Sequence, residues 1–191
     1  EIKYTYVLKL DNLEDVLKNM NRKRRNDINR CNSQNYYIKL SEIDKFIELN
    51  KRTMQRQKNI IFDKKLMIDI YERCKKNNCC EIFTAYDINN KEKASLLLVW
   101  DNKRGYYMGG GIDYNSNGAM SLLIWEAIKY TKAKNLNEFD FAGLPRIHRS
   151  IEFYCRKFGG EIKPLFYIRD DSFKNTIIMK MYKIFKFGAI G

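Results

Sequence analysis

The stretch FDFAGLPRIHRSIEFYCRKFGGE, residues 139–161, gathers most of the side chains in this sequence that could do chemistry. Asp140 alternates with Phe139 and Phe141, so its carboxylate can either face a substrate amine or pair with a nearby cation. His148 is the chain's only histidine, a side chain that exchanges protons near neutral pH. Tyr154 adds a phenol, a third acid/base candidate. Arg146, Arg149, Arg156 and Lys157 crowd the same segment with cations suited to phosphate or carboxylate groups. Cys155 lies beside Arg156 and Lys157, whose charge would favour a thiolate. No triad-like arrangement accompanies it, and the other reading is a buried helical cysteine.

A second group surrounds the glycines of MGGGIDYNSNGAM. Gly109, Gly110 and Gly111 end a strand pattern, where glycine marks a bulge or a close backbone approach. Asn115, Ser116 or Asn117 can cap the helix that follows, and its first N–H groups attract phosphate or carboxylate. Gly118 and Ala119 would let a ligand approach that backbone. An ordinary helix entry with a glycine turn is the other reading. A third candidate is Arg24, which falls on the apolar stripe Leu13, Val16, Leu17, Met20, Ile28. Either the helix has left the core at Arg24 or the guanidinium points into a cleft.

These residues need elements to hold them. Period-two alternation predicts strands over 3–10, 36–40, 80–87, 93–100, 104–112 and 138–142, and EIKPLFYI adds another. Helical stripes predict one helix from residue 13 through 28, and one carrying Ile43, Phe46, Ile47 and Met54 behind a Ser41/Asp44 capping box. A third runs from about 63 to 76 with Leu66, Met67, Ile70, Tyr71 and Cys74 as its stripe. AMSLLIWEAIKYTKAKN is apolar nearly all round and reads as a buried helix. The basic helix after Pro145 and an amphipathic one over roughly 173–187 complete the set. SLLLVW, apolar on both faces, reads as a central strand. The fold class is therefore α/β (α+β), a mixed sheet with helices on both faces.

Composition bounds the rest. The chain has 191 residues, enough for one domain over 1–191 or one half of a longer protein, and 45% hydrophobic residues, enough for its own core. It opens on Glu1 without a signal-peptide pattern, and no apolar run approaches membrane-spanning length. Five cysteines without CxxC spacing and one histidine point to reduced thiols in a cytoplasmic protein rather than a zinc site. A net charge of +13 favours anionic partners, or reflects a Lys-rich surface of solvated charges.

Taken in order, several stretches resemble the GNAT acyltransferase superfamily, closest to its FemA/FemB/FemX branch of aminoacyltransferases and sugar N-acyltransferases. They are YTYVLKLDNLEDVLKNMNRKRRNDINRC, ELNKRTMQRQ, SLLLVW, MGGGIDYNSNGAMSLLIWEAIKY and FDFAGLPRIHRSIEFYCRKFGGE with EIKPLFYI. The resemblance implies a GNAT-like fold and a donor, acyl-CoA (acetyl-CoA) or aminoacyl-tRNA, bound near 108–119 where central strands splay. It implies an amine acceptor on a cell-envelope precursor, with Arg24, Arg146, Arg156 and Lys157 as contacts to its phosphates and no metal. It further implies a partner of the same kind, a second GNAT-like domain or a second copy. The family's acetyl-CoA loop reads Gln/Arg-x-x-Gly-x-Gly/Ala. Asn115-Ser116-Asn117-Gly118-Ala119-Met120 differs from it at the first and last positions. Tyr154-Cys155-Arg156-Lys157-Phe158-Gly159 places Cys where a Fem-type helix carries Lys. The alternatives are a non-catalytic basic module for nucleic acid or anionic lipid, and a degenerate domain that shapes a partner's cleft.

Overall fold

Alternation along the central strands decides the layering. In β4 (Glu92–Trp100), Ala94, Leu96 and Leu98 enter one hydrophobic cluster while Leu97 and Val99 enter another. Strand β3 (Cys80–Tyr86) divides the same way, with Phe83 and Ala85 on the first side and Cys80 and Ile82 on the second. Burying each such Leu or Ile contributes roughly 1.5–3 kcal/mol, so both faces must be covered. The computed structural model describes residues 2–57, 63–116, 118–142 and 149–166. In it α3 (Ile43–Arg56) and α4 (Lys64–Lys76) cover one face. Helices α1 (Leu13–Asn19), α2 (Arg22–Ser33), α5 (Ala119–Ala133) and α6 (Arg149–Arg156) line the other.

The remaining strands are β1 (Ile2–Lys9), β2 (Tyr37–Leu40), β5 (Arg104–Ile112), β6 (Glu138–Asp140) and β7 (Glu161–Phe166). They form one mixed sheet in the order β2-β3-β4-β5-β6-β1-β7, in which, among the described residues, only β5 and β6 are parallel. Their crossover is α5, so the glycine-rich segment lies between this parallel seam and the start of α5. That seam is short. Arg104–Tyr106 pair with Glu138–Asp140, whereas β5 runs on to Ile112. Just past the last pair, Met108 is an extra residue: Leu97 sits opposite Gly109 and Leu98 opposite Tyr107. A bulge bends and twists its strand, and this one falls just beyond the last β5–β6 pair.

Several local expectations are corrected. The single helix through residues 13–28 is two helices. Met20 is extended with ψ 137°, and Asn21 caps α2 by accepting the Lys23 N–H at 3.0 Å. Arg25 fixes the break by donating to the carbonyls of Lys18 (2.9 Å) and Met20 at the end of α1. Ser41 makes no capping box, because its hydroxyl is bonded to Thr84 Oγ1 at 2.6 Å and Glu42 stands at the cap position. The stripe of α4 is only half used: Tyr71 is buried against α3 and β3, but Leu66 and Ile70 are exposed. The pattern over 173–187 lies outside the described residues. No helix among the described residues is long and apolar enough to cross a membrane.

Candidate active site

The gap where β5 leaves β6 is packed from the helical side by rings. Tyr107 of β5 lies 6.3 Å from Phe141, Phe141 lies 5.6 Å from Phe158, and Tyr154 lies 5.5 Å from Phe158, all centroid to centroid. Helix α6 thus wedges Tyr154 against the end of the sheet. Helix α2 brings Arg24 to the same place because Met20–Asn21 redirects the chain, and the Asn21 N–H bonds Lys157 O at 2.8 Å to tie the start of α2 to the end of α6. Helix α5 contributes Ser121, the polar residue of its first turn that faces inward.

These side chains form one buried network. Arg24 is only 7% exposed. It donates from Nη1 to Ser121 Oγ at 3.2 Å, pairs through Nη2 with Asp27 at 3.1 Å, and stacks 4.3 Å over the Tyr154 ring. Ser121 bonds Asp27 at 3.3 Å and the Tyr154 hydroxyl at 2.9 Å, and Arg30 closes the far side of Asp27 at 2.9 Å. One donor is left over: Arg24 Nε is buried and has no partner among the described residues. A buried unpaired N–H costs about 1–3 kcal/mol. Of the two readings of Arg24, the one in which the helix has left the core there does not hold: the guanidinium is buried among Asp27, Ser121 and Tyr154.

The electrostatics follow from burial and from clustered cations. Burial pushes the Tyr154 phenol up to about 12, against the opposing pull of the Ser121 bond and Arg24, so it is protonated at neutral pH. Burial alone pushes the Cys155 thiol up to about 12, which makes it the buried helical cysteine and not a thiolate. Lys157 is held below the usual lysine range, by desolvation first and then by the charges of Lys23, Arg24 and Arg156. Lys157 and Arg156 also lie over the Phe153 ring, at 3.9 Å and 5.6 Å. Asp27 acts on Lys157 in the opposite direction, more weakly.

Other sequence candidates are placed differently. Asp140 is 2% exposed and paired: it accepts from Thr5 Oγ1 at 2.5 Å, Ala142 N at 2.8 Å and Arg104 Nη1 at 3.3 Å. It therefore meets the second of its two expectations and joins β1, β6 and β5. The glycines admit protein rather than leaving space. A Cβ on Gly111 would strike the Leu49 and Asn50 backbone of α3, and one on Gly110 would meet Met120. Gly109 faces only Phe46, at 3.7 Å. Gly118, with φ 94°, is itself the cap of α5; neither Asn115 nor Ser116 caps it by its side chain. A Cβ there would lie 2.7 Å from Asp27, so α2 occupies the approach that sequence reading gave to a ligand. Ala119 is fully buried, and its N–H is already bonded to Ser116 O at 2.8 Å, while Asn115 is exposed. Asn117, Arg146 and His148 lie outside the described residues. Sequence reading missed Asp27 and Ser121. Their signals were present: an acid three residues after the stripe arginine, and a serine in the first turn of an apolar helix. Among the described residues no group of three or more His, Cys, Asp or Glu is arranged for a metal.

Residues 17–149 match the family model described as an acetyltransferase (GNAT) domain, and the chain belongs to that family. No curated protein matches it. Among solved structures it is similar to FemX, at 14% identity and a TM-score of 0.76, over 84% of this chain and 59% of that one. It is similar to L-PGS from Bacillus licheniformis, at 11% identity and a TM-score of 0.60, over 95% and 66%. It is also similar to a predicted acetyltransferase with acetyl-CoA from Clostridium acetobutylicum, at 13% and 0.51, over 72% and 93%. At these identities the likeness is one of fold. The chain spans about three-fifths of the length of FemX.

Proposed function

We propose that the chain is an N-acyltransferase that moves an acyl or aminoacyl group onto an amine of a phosphate-bearing cell-envelope precursor, an amino sugar or a peptide. The observation that carries this reading is the buried Arg24, with its Nε unpaired and Lys23, Arg156 and Lys157 around it. A phosphate there gains charge-assisted bonds from groups already desolvated. The donor, acyl-CoA or an aminoacyl-tRNA, supplies an activated carbonyl when bound. The edge of β5 past Tyr106, which β6 no longer pairs, is the available backbone beside it. The acceptor nitrogen attacks the carbonyl carbon, the C–N bond forms, the C–S or C–O bond breaks, and the proton the amine gives up ends, directly or through water, on the departing sulfur or oxygen. Catalysis in such a site is mostly positioning. Tyr154, protonated at neutral pH, serves as a hydrogen-bond or proton donor rather than a base. We read the chain as one acyltransferase domain that works beside a second such domain or a second copy, in the cytoplasm.

The test is calorimetric titration with acetyl-CoA at two salt concentrations, with CoA and ATP as controls. Saturable binding near one per chain, little changed by salt and absent with ATP, supports a CoA-dependent enzyme. Binding of many unrelated polyanions that falls steeply with salt would instead identify a basic nucleic-acid or lipid module. No acetyl-CoA binding directs the donor question to aminoacyl-tRNA, or to a domain that only shapes a partner's cleft.

A further inference from the structure

Helix α2 has a second polar flank. At 3.6 residues per turn, Arg24, Asp27 and Cys31 share its inward face, and all three are buried. Arg22, Asn26, Asn29 and Asn32 fall on another flank, where they line a cavity of about 390 Å³ closed by Trp125 of α5. That volume is within the range of small-ligand sites, roughly 300–1,000 Å³. The lining contains no carboxylate. Arg25 also borders it, but its guanidinium is committed to the carbonyls that end α1. Among the described residues no hydrogen bond or ion pair reaches the side chains of Arg22, Asn26, Asn29 or Asn32.

The chemistry of this groove differs from that of the Arg24 cluster. Each side-chain amide offers both donors and an acceptor, so three of them at successive turns present alternating partners along one wall. The half-buried indole of Trp125 supplies a flat apolar face with a polar N–H. Only Arg22 brings an uncommitted charge. Hydroxyls, which both donate and accept, match amides; the C–H face of a pyranose matches an indole. A phosphate would leave the amide oxygens facing like-charged acceptors.

We propose that the groove between α2 and Trp125 is a binding site for a neutral sugar, separate from the acyl-transfer site and on a different flank of α2. It does not depend on the acyl-transfer reading. The sequence holds two tryptophans, Trp100 and Trp125, so a Trp100→Phe chain carries one indole, at the groove. Its fluorescence is titrated with glucose and with N-acetylglucosamine, and with inorganic phosphate and glucose 1-phosphate as anionic probes. A saturable change with a neutral sugar is expected, insensitive to salt and weakened about five- to tenfold by Asn29→Leu. Circular dichroism establishes that both variants are folded. The proposal is overturned if no neutral sugar gives a saturable change in the folded Trp100→Phe chain. It is equally overturned if inorganic phosphate alone produces the change, or if Asn29→Leu binds as tightly as its parent.

Discussion

The Arg24 guanidinium of α2 lies flat over the Tyr154 ring of α6, 4.3 Å from its centroid, while both side chains bond the same Ser121 hydroxyl of α5. Three helices far apart in sequence therefore meet on one hydroxyl, and the cation at that point is held by a planar fork and a stacked ring together.

That arrangement makes Arg24 more than a positive charge. Arg24→Lys keeps the charge but cannot fork or stack in the same way. Both Arg24→Lys and Arg24→Met are expected to raise KM for a phosphate-bearing acceptor tenfold or more, the scale of one charged hydrogen bond at about 1.5–3 kcal/mol. Donor KM should stay within about twofold of the parent, since the donor lies along β5 in this reading. Steady-state kinetics with each substrate varied separately decides it; equal effects on both constants would count against an acceptor contact.

Asp27 is expected to be the stability determinant of the network. Asp27→Ala leaves Arg24 buried without its counter-charge, which costs about 3–5 kcal/mol for a broken buried pair. Replacing both partners, Arg24→Met with Asp27→Leu, should recover much of the loss. Urea denaturation of the two variants checks this. A double variant no more stable than Asp27→Ala would place the stabilisation elsewhere, for instance in the Arg30 contact.

The glycines give a steric prediction. Gly111→Ala pushes a methyl group into the backbone of α3 and should cost about 1–3 kcal/mol. Gly118→Ala meets Asp27 and must also hold a left-handed φ, which adds about 1–2 kcal/mol. Both losses should appear in urea midpoints with no ligand present. If either change left stability intact and removed donor binding instead, the glycine would be serving a ligand.

Stability should fall on the alkaline side. Burial raises Cys155 from its ordinary 9.0 to about 12 and Tyr154 from 10.0 to about 12. The folded chain therefore keeps protons that the unfolded chain loses. The stabilisation is complete below the unfolded values and drains away as pH rises through the folded ones. One pH unit above its unfolded value, a thiol of this kind withdraws about 1.4 kcal/mol. Urea midpoints at about pH 8 and about pH 10 should differ, and Cys155→Ala should reduce the difference. The Cys155 thiol should also resist alkylation until the chain unfolds.

Element order was legible in the sequence because alternation and helical stripes directly record which side of a segment is buried. The central position of SLLLVW followed from its apolarity on both faces, and the helix over AMSLLIWEAIKYTKA from its lack of a polar side. The break at Met20–Asn21 was hidden because the apolar spacing continues through it; what ends α1 is a guanidinium reaching back from Arg25. The site was legible only in part. Arg24 drew notice as a cation on an apolar stripe, and Asp27 stands three residues on in the same helix, but Ser121 and Tyr154 come from two other helices, and no local pattern reports their meeting with Arg24. The glycines were correctly read as places of close approach, yet sequence alone cannot say whether a ligand or a neighbouring helix comes close. At Gly111 and Gly118 it is a helix.

The extra residue at Met108 has a consequence for how this protein could be taken apart. Tyr107 and Gly110 lie on the α5 side of the sheet, Gly109 and Gly111 on the α3 side. Removing Met108 would leave that bookkeeping unchanged, because every residue on either side keeps its face. A single-codon deletion would therefore straighten β5 without scrambling its register. The twist of β5 and the face each of its residues takes are thus separable properties, written at different positions in the same strand.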